Sequence, residues 1–277
     1  MGSDYVSQLF RVEGQVVVIT GGGGVLCGAI ARGLARAGAK VVLLNRTRAS
    51  AERVAETIRA LGGEVMVVEA NVLDRPALER TAEEILARYG RVDALINGAG
   101  GNRPEGTTGP DNPFTDMPER AIRDVFDLNF MGTFLPCQVY ARIMAQQGKG
   151  TIINIASVNA FKPLTKIPAY SAAKGAVANF TQWLAAHLSF EYSPNIRVNA
   201  IAPGFYLTRQ NRYLLIDETT GEFTERAKNV LAHTPMGRFG DPDELIGTVI
   251  WLLSPAASFV HGATIVVDGG FVAYGGV

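Results

Sequence analysis

Cysteine is almost missing from this sequence, and its scarcity narrows the possible architectures. The 277 residues contain two cysteines, Cys27 and Cys137. Two cysteines are too few for a disulfide framework, and their spacing matches no metal-ligand motif. We therefore expect no metal site and a reducing, intracellular setting.

The sequence also lacks an excess of either charge, a long apolar run and a basic leader. Lys and Arg together number 26, as do Asp and Glu, so the formal net charge is zero. A nucleic-acid-binding protein usually carries a basic surplus, and a membrane-spanning helix needs about 20 consecutive apolar residues. The opening residues MGSDYVSQLF do not resemble a secretory signal. These absences predict a cytoplasmic protein that binds neither nucleic acid nor membranes, although a local site can still be cationic.

What the sequence does contain is a regular alternation of short apolar runs with longer amphipathic segments. Such alternation is typical of crossover units that build a parallel sheet. The predicted strands are 15–20, 40–44, 64–68, 94–97, 150–156, 196–201 and 264–267, and the predicted helices are 28–37, 49–61, 76–89, 118–147 (one helix or two abutting ones), 169–191 and 242–253. We therefore predict α/β architecture: a single Rossmann-type, doubly wound domain over residues 1–277, with a seven-stranded parallel sheet flanked by helices on both faces.

Two stretches, 98–117 and 205–234, are too long to be simple connections. Long loops inside a compact domain often bind ligands or cover them. We expect the second stretch, at about 205–234, to cover a substrate.

A glycine-rich turn follows the first predicted strand. Thr20 is followed by Gly21, Gly22, Gly23 and Gly24, and then by a predicted helix. A diphosphate needs close backbone approach and a helix N-terminus that points at it, and glycines permit both. The placement favours a dinucleotide site over a merely flexible turn.

Tyr170 and Lys174 lie four residues apart at the start of a predicted helix, which places them on one helical face. Ser157 lies just past the carboxyl end of the preceding strand, where open parallel sheets bind ligands. An ammonium group near a phenol lowers the pKa of the phenol, and a serine hydroxyl can hold a substrate oxygen whose charge changes. These three residues predict a general acid/base site.

Taken in order, these motifs resemble the short-chain dehydrogenase/reductase family over nearly the whole sequence. The resemblance implies that Tyr170 is the catalytic acid/base, that Lys174 binds the nicotinamide ribose, that Ser157 orients the substrate carbonyl, and that Asn129 holds a water in a proton relay. It also implies a homotetramer, with helices 114–147 and 169–191 at one interface and the C-terminal strand at another. The residues expected to contact the nicotinamide cofactor are Gly21, Gly22, Gly23, Gly24, Val25, Leu26, Asn45, Arg46, Asn71, Val72, Asn97, Gly98, Ala99, Gly100, Tyr170, Lys174, Pro203, Gly204 and Tyr206.

The glycine motif departs from the family pattern. Two positions that the family fills with glycine are Val25 and Cys27 here, with an extra glycine at Gly24 and at Gly28. The loop is therefore expected to follow a slightly different path, with Gly24 in the role of the missing middle glycine. We interpret Cys27 as a small packing residue.

Four segments, 21–28, 98–108, 159–170 and 204–215, resemble one group within this family, the D-mannonate oxidoreductases, also called fructuronate reductases. That resemblance implies a sugar-acid substrate. A sugar acid needs a cation for its carboxylate, and the loops offer Arg103, Lys166 and Arg212. We predict that Lys166 and Arg212 bind the carboxylate, with Arg103 third, and that Ser157, Asn159 and Gln210 contact the rest of the substrate.

The residues after the second predicted strand bear on cofactor choice. NAD-specific sites usually place an acid here, whereas an arginine accommodates the 2′-phosphate of NADP. Asn45 is uncharged and Arg46 follows it, so we predict that NADP(H) is preferred to NAD(H). The predicted reaction is the interconversion of D-fructuronate and D-mannonate. The alternatives are a gluconate 5-dehydrogenase, a 3-oxoacyl carrier-protein reductase, or a cofactor-binding regulator without turnover.

Overall fold

A seven-stranded parallel sheet forms the centre of the structure. The structure, a computed structural model, describes residues 2–208 and 212–276. The strand order is β3-β2-β1-β4-β5-β6-β7, and all neighbours run parallel. The strands are β1 (Val16–Thr20), β2 (Lys40–Asn45), β3 (Val65–Glu69), β4 (Ala94–Asn97), β5 (Gly150–Ile155), β6 (Ile196–Pro203) and β7 (Thr264–Val267).

Helices connect these strands, and the last three helices of the described residues lie in the long segment between β6 and β7. The helices are α1 (Gly2–Leu9), α2 (Val25–Arg36), α3 (Arg48–Ala60), α4 (Arg75–Tyr89), α5 (Glu119–Phe126), α6 (Gly132–Gln147), α7 (Pro168–Glu191), α8 (Arg212–Leu215), α9 (Glu225–Ala232) and α10 (Glu244–Leu253). Among the described residues, no helix combines the length and apolar character that crossing a bilayer requires.

Alternating residues of β1 show that both faces of the sheet are covered. Val17 and Ile19 belong to a core cluster that includes Leu34 of α2. Val16 and Val18 belong to a second cluster that contains side chains of α4, α6 and α7. Because both faces are buried, the strands are apolar throughout, which is typical of parallel sheets. The predicted doubly wound architecture is confirmed.

Two helical regions differ from the sequence prediction by more than two residues. Helix α2 begins at Val25, three residues earlier than predicted, because Gly24 has an extended backbone and caps the helix. The region predicted as one helix or two contains α5, a π-helical turn from Asp127 to Met131, and then α6. A π turn inside a helical region often marks a functional position, and Asn129 lies in this one.

The strand order positions the site. Strand β1 lies between β2 and β4, so the chain leaves β1 toward one side and leaves β4 toward the other. Thr20, the last residue of β1, pairs with Asn97, the last residue of β4. The crevice at such a switch point is where doubly wound folds bind ligands.

Candidate active site

A cavity of about 840 Å³ opens at the carboxyl edge of the sheet. The loops after β1, β4, β5 and β6 form its wall. The glycine-rich turn lines it together with Ser157, Tyr170 and Lys174. The structure therefore brings the predicted cofactor turn and the predicted catalytic residues into one site.

The glycine-rich turn is packed too tightly for side chains. A Cβ added to Gly23 would lie 2.7 Å from backbone atoms of Ser50, and one added to Gly21 would lie 2.9 Å from the amide nitrogen of Ala99. Gly24 caps α2 with no side-chain hydrogen bond. The first N–H groups of a helix have no intrahelical partner, so this end of α2 fits a diphosphate.

The unusual positions of the glycine motif are accommodated locally. Val25 is the first residue of α2 and lines the cavity, as do Gly24 and Leu26. Cys27 is buried, and a Cβ on Gly98 would lie only 2.0 Å from its Sγ. Burial raises the pKa of the Cys27 thiol to about 12. Cys27 is therefore a packing residue that occupies the space left by Gly98, as predicted.

Asn45 lines the cavity, and its side-chain amide also holds the glycine-rich turn. Its Oδ1 accepts from the N–H of Gly23 at 2.9 Å, and its Nδ2 donates to Ser50 Oγ at 2.7 Å. Arg46 is exposed and does not line the cavity, although Arg32 and Arg53 do. The cations near this turn thus come from α2 and α3, which the sequence prediction missed.

Among the other predicted cofactor residues, Gly98, Ala99, Gly100, Pro203, Gly204 and Tyr206 line the cavity. Thr20 Oγ1 accepts from the N–H groups of Gly98 and Ala99 at 3.0 and 3.1 Å. Tyr206 donates to the carbonyl of Val267 at 3.1 Å.

Four further predicted cofactor residues lie off the cavity wall. Asn97 is buried and donates to Asn154 Oδ1 at 2.9 Å, so it connects β4 to β5. Asn71 is exposed and its Oδ1 accepts from the N–H of Leu73, whereas Val72 is buried. Gly22 is also off the wall, and a Cβ added to it would lie 2.7 Å from Cδ2 of Leu43.

Ser157, Tyr170 and Lys174 form the centre of the site. Nζ of Lys174 lies 5.6 Å from the centroid of the Tyr170 ring and donates to the carbonyl of Ile155 at 2.7 Å. Burial lowers the pKa of Lys174 to about 8. Burial raises the pKa of Tyr170, and a hydrogen bond with Ser157 opposes this rise. The sequence analysis expected Lys174 to lower the tyrosine pKa, but in this structure desolvation of the phenol raises that pKa and the opposing effect comes from Ser157.

Asn129 connects the π turn to the loop after β4. Its Nδ2 donates to the carbonyls of Gly101 and Val125 at 2.7 and 2.8 Å, and its Oδ1 accepts from the N–H of Gly101 at 3.1 Å. A Cβ on Gly100 would lie 2.6 Å from Asn129 Oδ1 and 3.5 Å from Lys174 Nζ. The asparagine is thus close to the lysine, as the proton-relay hypothesis requires.

The three cations predicted for a substrate carboxylate do not line this cavity. Arg103 forms an ion pair with Asp124 at 3.0 Å and is half exposed. Lys166 has a left-handed backbone with φ of 79° and faces a separate, smaller cavity. Arg212 is exposed at the start of α8, and Gln210 lies outside the described residues. These loops follow the expected strands, but their side chains point elsewhere, which the sequence does not specify.

Arg226 is a cavity-lining cation that the sequence analysis missed. It lies on α9, which Thr224 caps by accepting from the N–H of Ala227. The same part of the wall includes Phe205, Thr208 and Leu214. Thr224 is a helix-start signal, but no local pattern indicates which side of that short helix faces the cavity.

The sign of the charge on the wall is uniform. Four cationic side chains line the cavity, and no Asp or Glu among the described residues lines it. The four cations are Arg32, Arg53, Lys174 and Arg226. In a protein with zero net charge, this wall fits a ligand that carries several negative charges.

The chain is similar to known oxidoreductases over almost its whole length. Residues 25–272 match the protein family described as "Enoyl-(Acyl carrier protein) reductase". The "Uncharacterized oxidoreductase UxuB" of Bacillus subtilis (strain 168) is 50% identical over 276 residues, which cover 96% of this chain and 98% of that protein.

Two crystal structures are similar along almost the whole chain. One, from Haemophilus influenza, carries the provisional name D-mannonate oxidoreductase and contains bound NAD. It has a TM-score of 0.91 and 43% identity, and the match covers 98% of this chain and 100% of that one. The other is a gluconate 5-dehydrogenase from Burkholderia cenocepacia J2315 in complex with NADP and tartrate. It has a TM-score of 0.86 and 33% identity, and the match covers 97% of this chain and 99% of that one.

Proposed function

Because the chain belongs to the short-chain dehydrogenase/reductase family and is a nicotinamide-dependent oxidoreductase, we propose that it interconverts D-fructuronate and D-mannonate. The observation that carries this proposal is the uniformly cationic cavity wall around Ser157, Tyr170 and Lys174. A dinucleotide and a sugar acid are both anionic, and their charges need cationic partners where water is scarce.

The proposed chemistry assigns one role to each residue at the centre. The cofactor, when bound, supplies the hydride. Tyr170 donates a proton to the substrate oxygen during reduction, and Ser157 donates a hydrogen bond to the same oxygen. Lys174 binds the ribose and supplies positive charge near the phenol. Asn129 orders the water through which Lys174 is reprotonated.

The residues that line the cavity are proposed to bind the cofactor in two groups. The glycine-rich turn and the N-terminus of α2 hold the diphosphate, and the residues 98–100, 203, 204 and 206 surround the nicotinamide end. Arg32 and Arg53, which lie beside the turn, support the preference for NADP(H), because guanidinium groups suit a 2′-phosphate. Asn71 and Val72 remain proposed adenine contacts.

The substrate carboxylate is proposed to bind Arg226. This residue lines the cavity within the segment 205–234, which we propose covers the substrate. Arginine binds a carboxylate through two parallel hydrogen bonds. Arg226 therefore takes the place that the sequence analysis assigned to Lys166 and Arg212.

A cytoplasmic location is part of the proposal. The cofactor is shared with other enzymes of that compartment, and the two buried free thiols fit a reducing environment.

A substrate panel tests the proposal. The purified enzyme is given D-fructuronate, 5-keto-D-gluconate and the neutral ketose D-fructose, and nicotinamide absorbance is followed. We expect the highest kcat/KM with D-fructuronate. Loss of a charge partner from a water-poor site costs about 1.5–3 kcal/mol. Arg226→Gln should therefore raise KM for the acids by roughly tenfold to a hundredfold and change KM for D-fructose much less.

Two variants serve as matched controls. Arg212→Gln and Lys166→Gln remove the same charge from residues that do not line the cavity, so we expect little change. A selective loss on acids in either control, with none in Arg226→Gln, would show that the sequence-based assignment was right. Turnover of neutral ketones alone would reject the sugar-acid proposal and leave the oxidoreductase assignment standing.

A second candidate function is the reduction of 5-keto-D-gluconate. The similar structure solved with NADP and tartrate is a gluconate 5-dehydrogenase, and tartrate carries the carboxylates and hydroxyls typical of a sugar acid. In the same panel, a higher kcat/KM with 5-keto-D-gluconate than with D-fructuronate would favour this second candidate.

A further inference from the structure

Asn159 is bound by the protein at both ends of its side chain. Its Oδ1 accepts from Ser171 Oγ at 2.7 Å and from the N–H of Leu164 at 3.2 Å, and its Nδ2 donates to Ser157 Oγ at 3.1 Å. Asn159 is 5% exposed. The sequence analysis assigned this residue to substrate hydroxyls, yet its oxygen already has two donors.

The orientation of the amide is determined by a backbone group. An N–H can only donate, so the atom that faces the N–H of Leu164 must be the amide oxygen. The other end, which faces Ser157, must then be the NH₂ group. Asn159 is therefore a hydrogen-bond donor to Ser157 in this arrangement.

Ser157 receives a second hydrogen bond from the same residue. The backbone N–H of Asn159 donates to Ser157 Oγ at 3.2 Å. A hydroxyl oxygen has two lone pairs and one proton. With both lone pairs occupied by Asn159, Ser157 can engage a further group only by donating its proton. Ser157 therefore donates in its hydrogen bond with Tyr170, and this bond opposes the rise in the tyrosine pKa that burial causes.

We propose that Asn159 is a positioning residue that makes Ser157 a hydrogen-bond donor toward the reacting oxygen. If the Ser157 hydroxyl could also accept a hydrogen bond, its proton would point away from the substrate oxygen in a fraction of the molecules. A donor fixed in advance stabilises the negative charge that develops on the substrate oxygen. The inference rests on the proposed function only in that Ser157 takes part in ketone reduction, and it does not depend on which ketone is reduced.

Asn159→Asp tests the donor role with almost no change in shape. A carboxylate can still accept from Ser171 and Leu164, but its second oxygen cannot donate to Ser157 and instead accepts the serine proton. We expect kcat to fall by roughly tenfold to a hundredfold at neutral pH. This fall is no larger than the fall in kcat that follows removal of one hydrogen-bond donor from an oxyanion hole. Burial raises the pKa of a carboxyl group, and a protonated carboxyl can donate again. The deficit relative to wild type should therefore shrink as pH falls.

A double-mutant cycle separates positioning from structural damage. We expect Ser157→Ala to lower kcat and Asn159→Asp to have no further effect in the Ser157→Ala background. Ser171→Ala is the matched control, because it removes a contact to Asn159 Oδ1 and leaves the Nδ2 donor in place. Its kcat should stay close to wild type. Binding of reduced cofactor, followed by its fluorescence, reports that each variant is folded.

The cycle is measured with any ketone that the enzyme reduces. Equal losses from Asn159→Asp in both backgrounds, or a deficit that does not change with pH, would overturn the positioning role. Rejection of D-fructuronate in favour of another ketone would overturn only the substrate proposal and leave this test intact. Unchanged turnover in Ser157→Ala would refute both this inference and the role proposed for Ser157.

Discussion

The ionisation of Lys174 depends strongly on its surroundings. Its side chain is buried beside Tyr170 and donates to the carbonyl of Ile155. Desolvation disfavours the charged form and lowers its pKa from 10.5 to about 8. The protonated lysine is therefore held in the folded protein at a cost to stability, which is common where catalysis requires a buried charge.

Lys174→Met is expected to stabilise the protein without cofactor while abolishing turnover. Below pH 8 the lysine is protonated in both the folded and the unfolded state. The folded state therefore bears the full free-energy cost of burying the charge, on the order of 3 kcal/mol. This figure does not include the hydrogen bond to Ile155 that the variant loses. As pH rises toward 10.5, the folded state has already released the proton and the cost declines. The stability advantage of Lys174→Met should shrink by roughly 2 kcal/mol between pH 7 and 9.5.

Urea unfolding at the two pH values measures this difference. Lys149→Met, at an exposed position, is the control and should show no comparable trend. An advantage that stays constant from pH 7 to 9.5 would argue against a depressed pKa at Lys174.

At the scale of elements, the loop between β2 and α3 combines two tasks. Asn45 supports the glycine-rich turn through Gly23 and is bound to Ser50. Arg53, one and a half turns into α3, lines the cavity, whereas Arg46 does not. The amide of Asn45 therefore holds the glycine-rich turn, and the positive charge that lines the cavity comes from Arg53 in the following helix, α3.

Cofactor choice is the prediction that belongs to this loop. We expect a higher kcat/KM with NADP(H) than with NAD(H). Arg53→Ala should reduce kcat/KM with NADP(H) by about tenfold. This corresponds to the lower end of the free-energy range for a hydrogen bond to a charged group, because Arg53 is exposed. Arg46→Ala should reduce kcat/KM with NADP(H) less. NAD(H) should be little affected by either change.

Arg48→Ala is the control, since Arg48 is engaged with Glu52 at 3.5 Å. Steady-state kinetics with both cofactors give the comparison. A strong preference for NAD(H) that neither Arg46→Ala nor Arg53→Ala alters would show that the predicted preference is wrong.

At the scale of the whole molecule, large apolar side chains are exposed along α7 and just beyond it. Trp183 is 55% exposed, Phe190 86% and Tyr192 59%, and Phe259 near β7 is fully exposed. Exposed aromatic groups that lie together often mark an interface between protein molecules. They lie where the family resemblance implies the two interfaces of a homotetramer, which we propose for this protein.

Sedimentation analysis is expected to give a mass four times that of the monomer. Phe190→Glu should produce smaller species because it places a charge in the proposed interface. Leu61→Glu changes an exposed apolar residue at the end of α3 and should leave the mass unaltered. A monomer in the wild type would contradict the proposed tetramer.

Much of the fold could be predicted because local patterns encode it. Apolar runs stopped by glycine identified the strands, and spacings of four identified helical faces. The positions of Tyr170, Lys174 and Ser157 relative to predicted strand ends placed them in one site, since the carboxyl ends of parallel strands share an edge. The start of α2 was predicted three residues too late because a glycine cap leaves no side-chain signal.

The sequence by itself determined the architecture and the glycine-rich turn, and it supplied the residues that we propose as the acid/base group, because these depend on residue type and short spacing. Only the tertiary structure decided that Arg226 lines the cavity while Arg103, Lys166 and Arg212 do not, and that Asn45 and Asn159 serve neighbouring residues. It also decided that burial raises the pKa of Tyr170 and lowers that of Lys174. Contacts between residues far apart in the sequence determine where a side chain points and how far it is desolvated. No local sequence pattern carries that information.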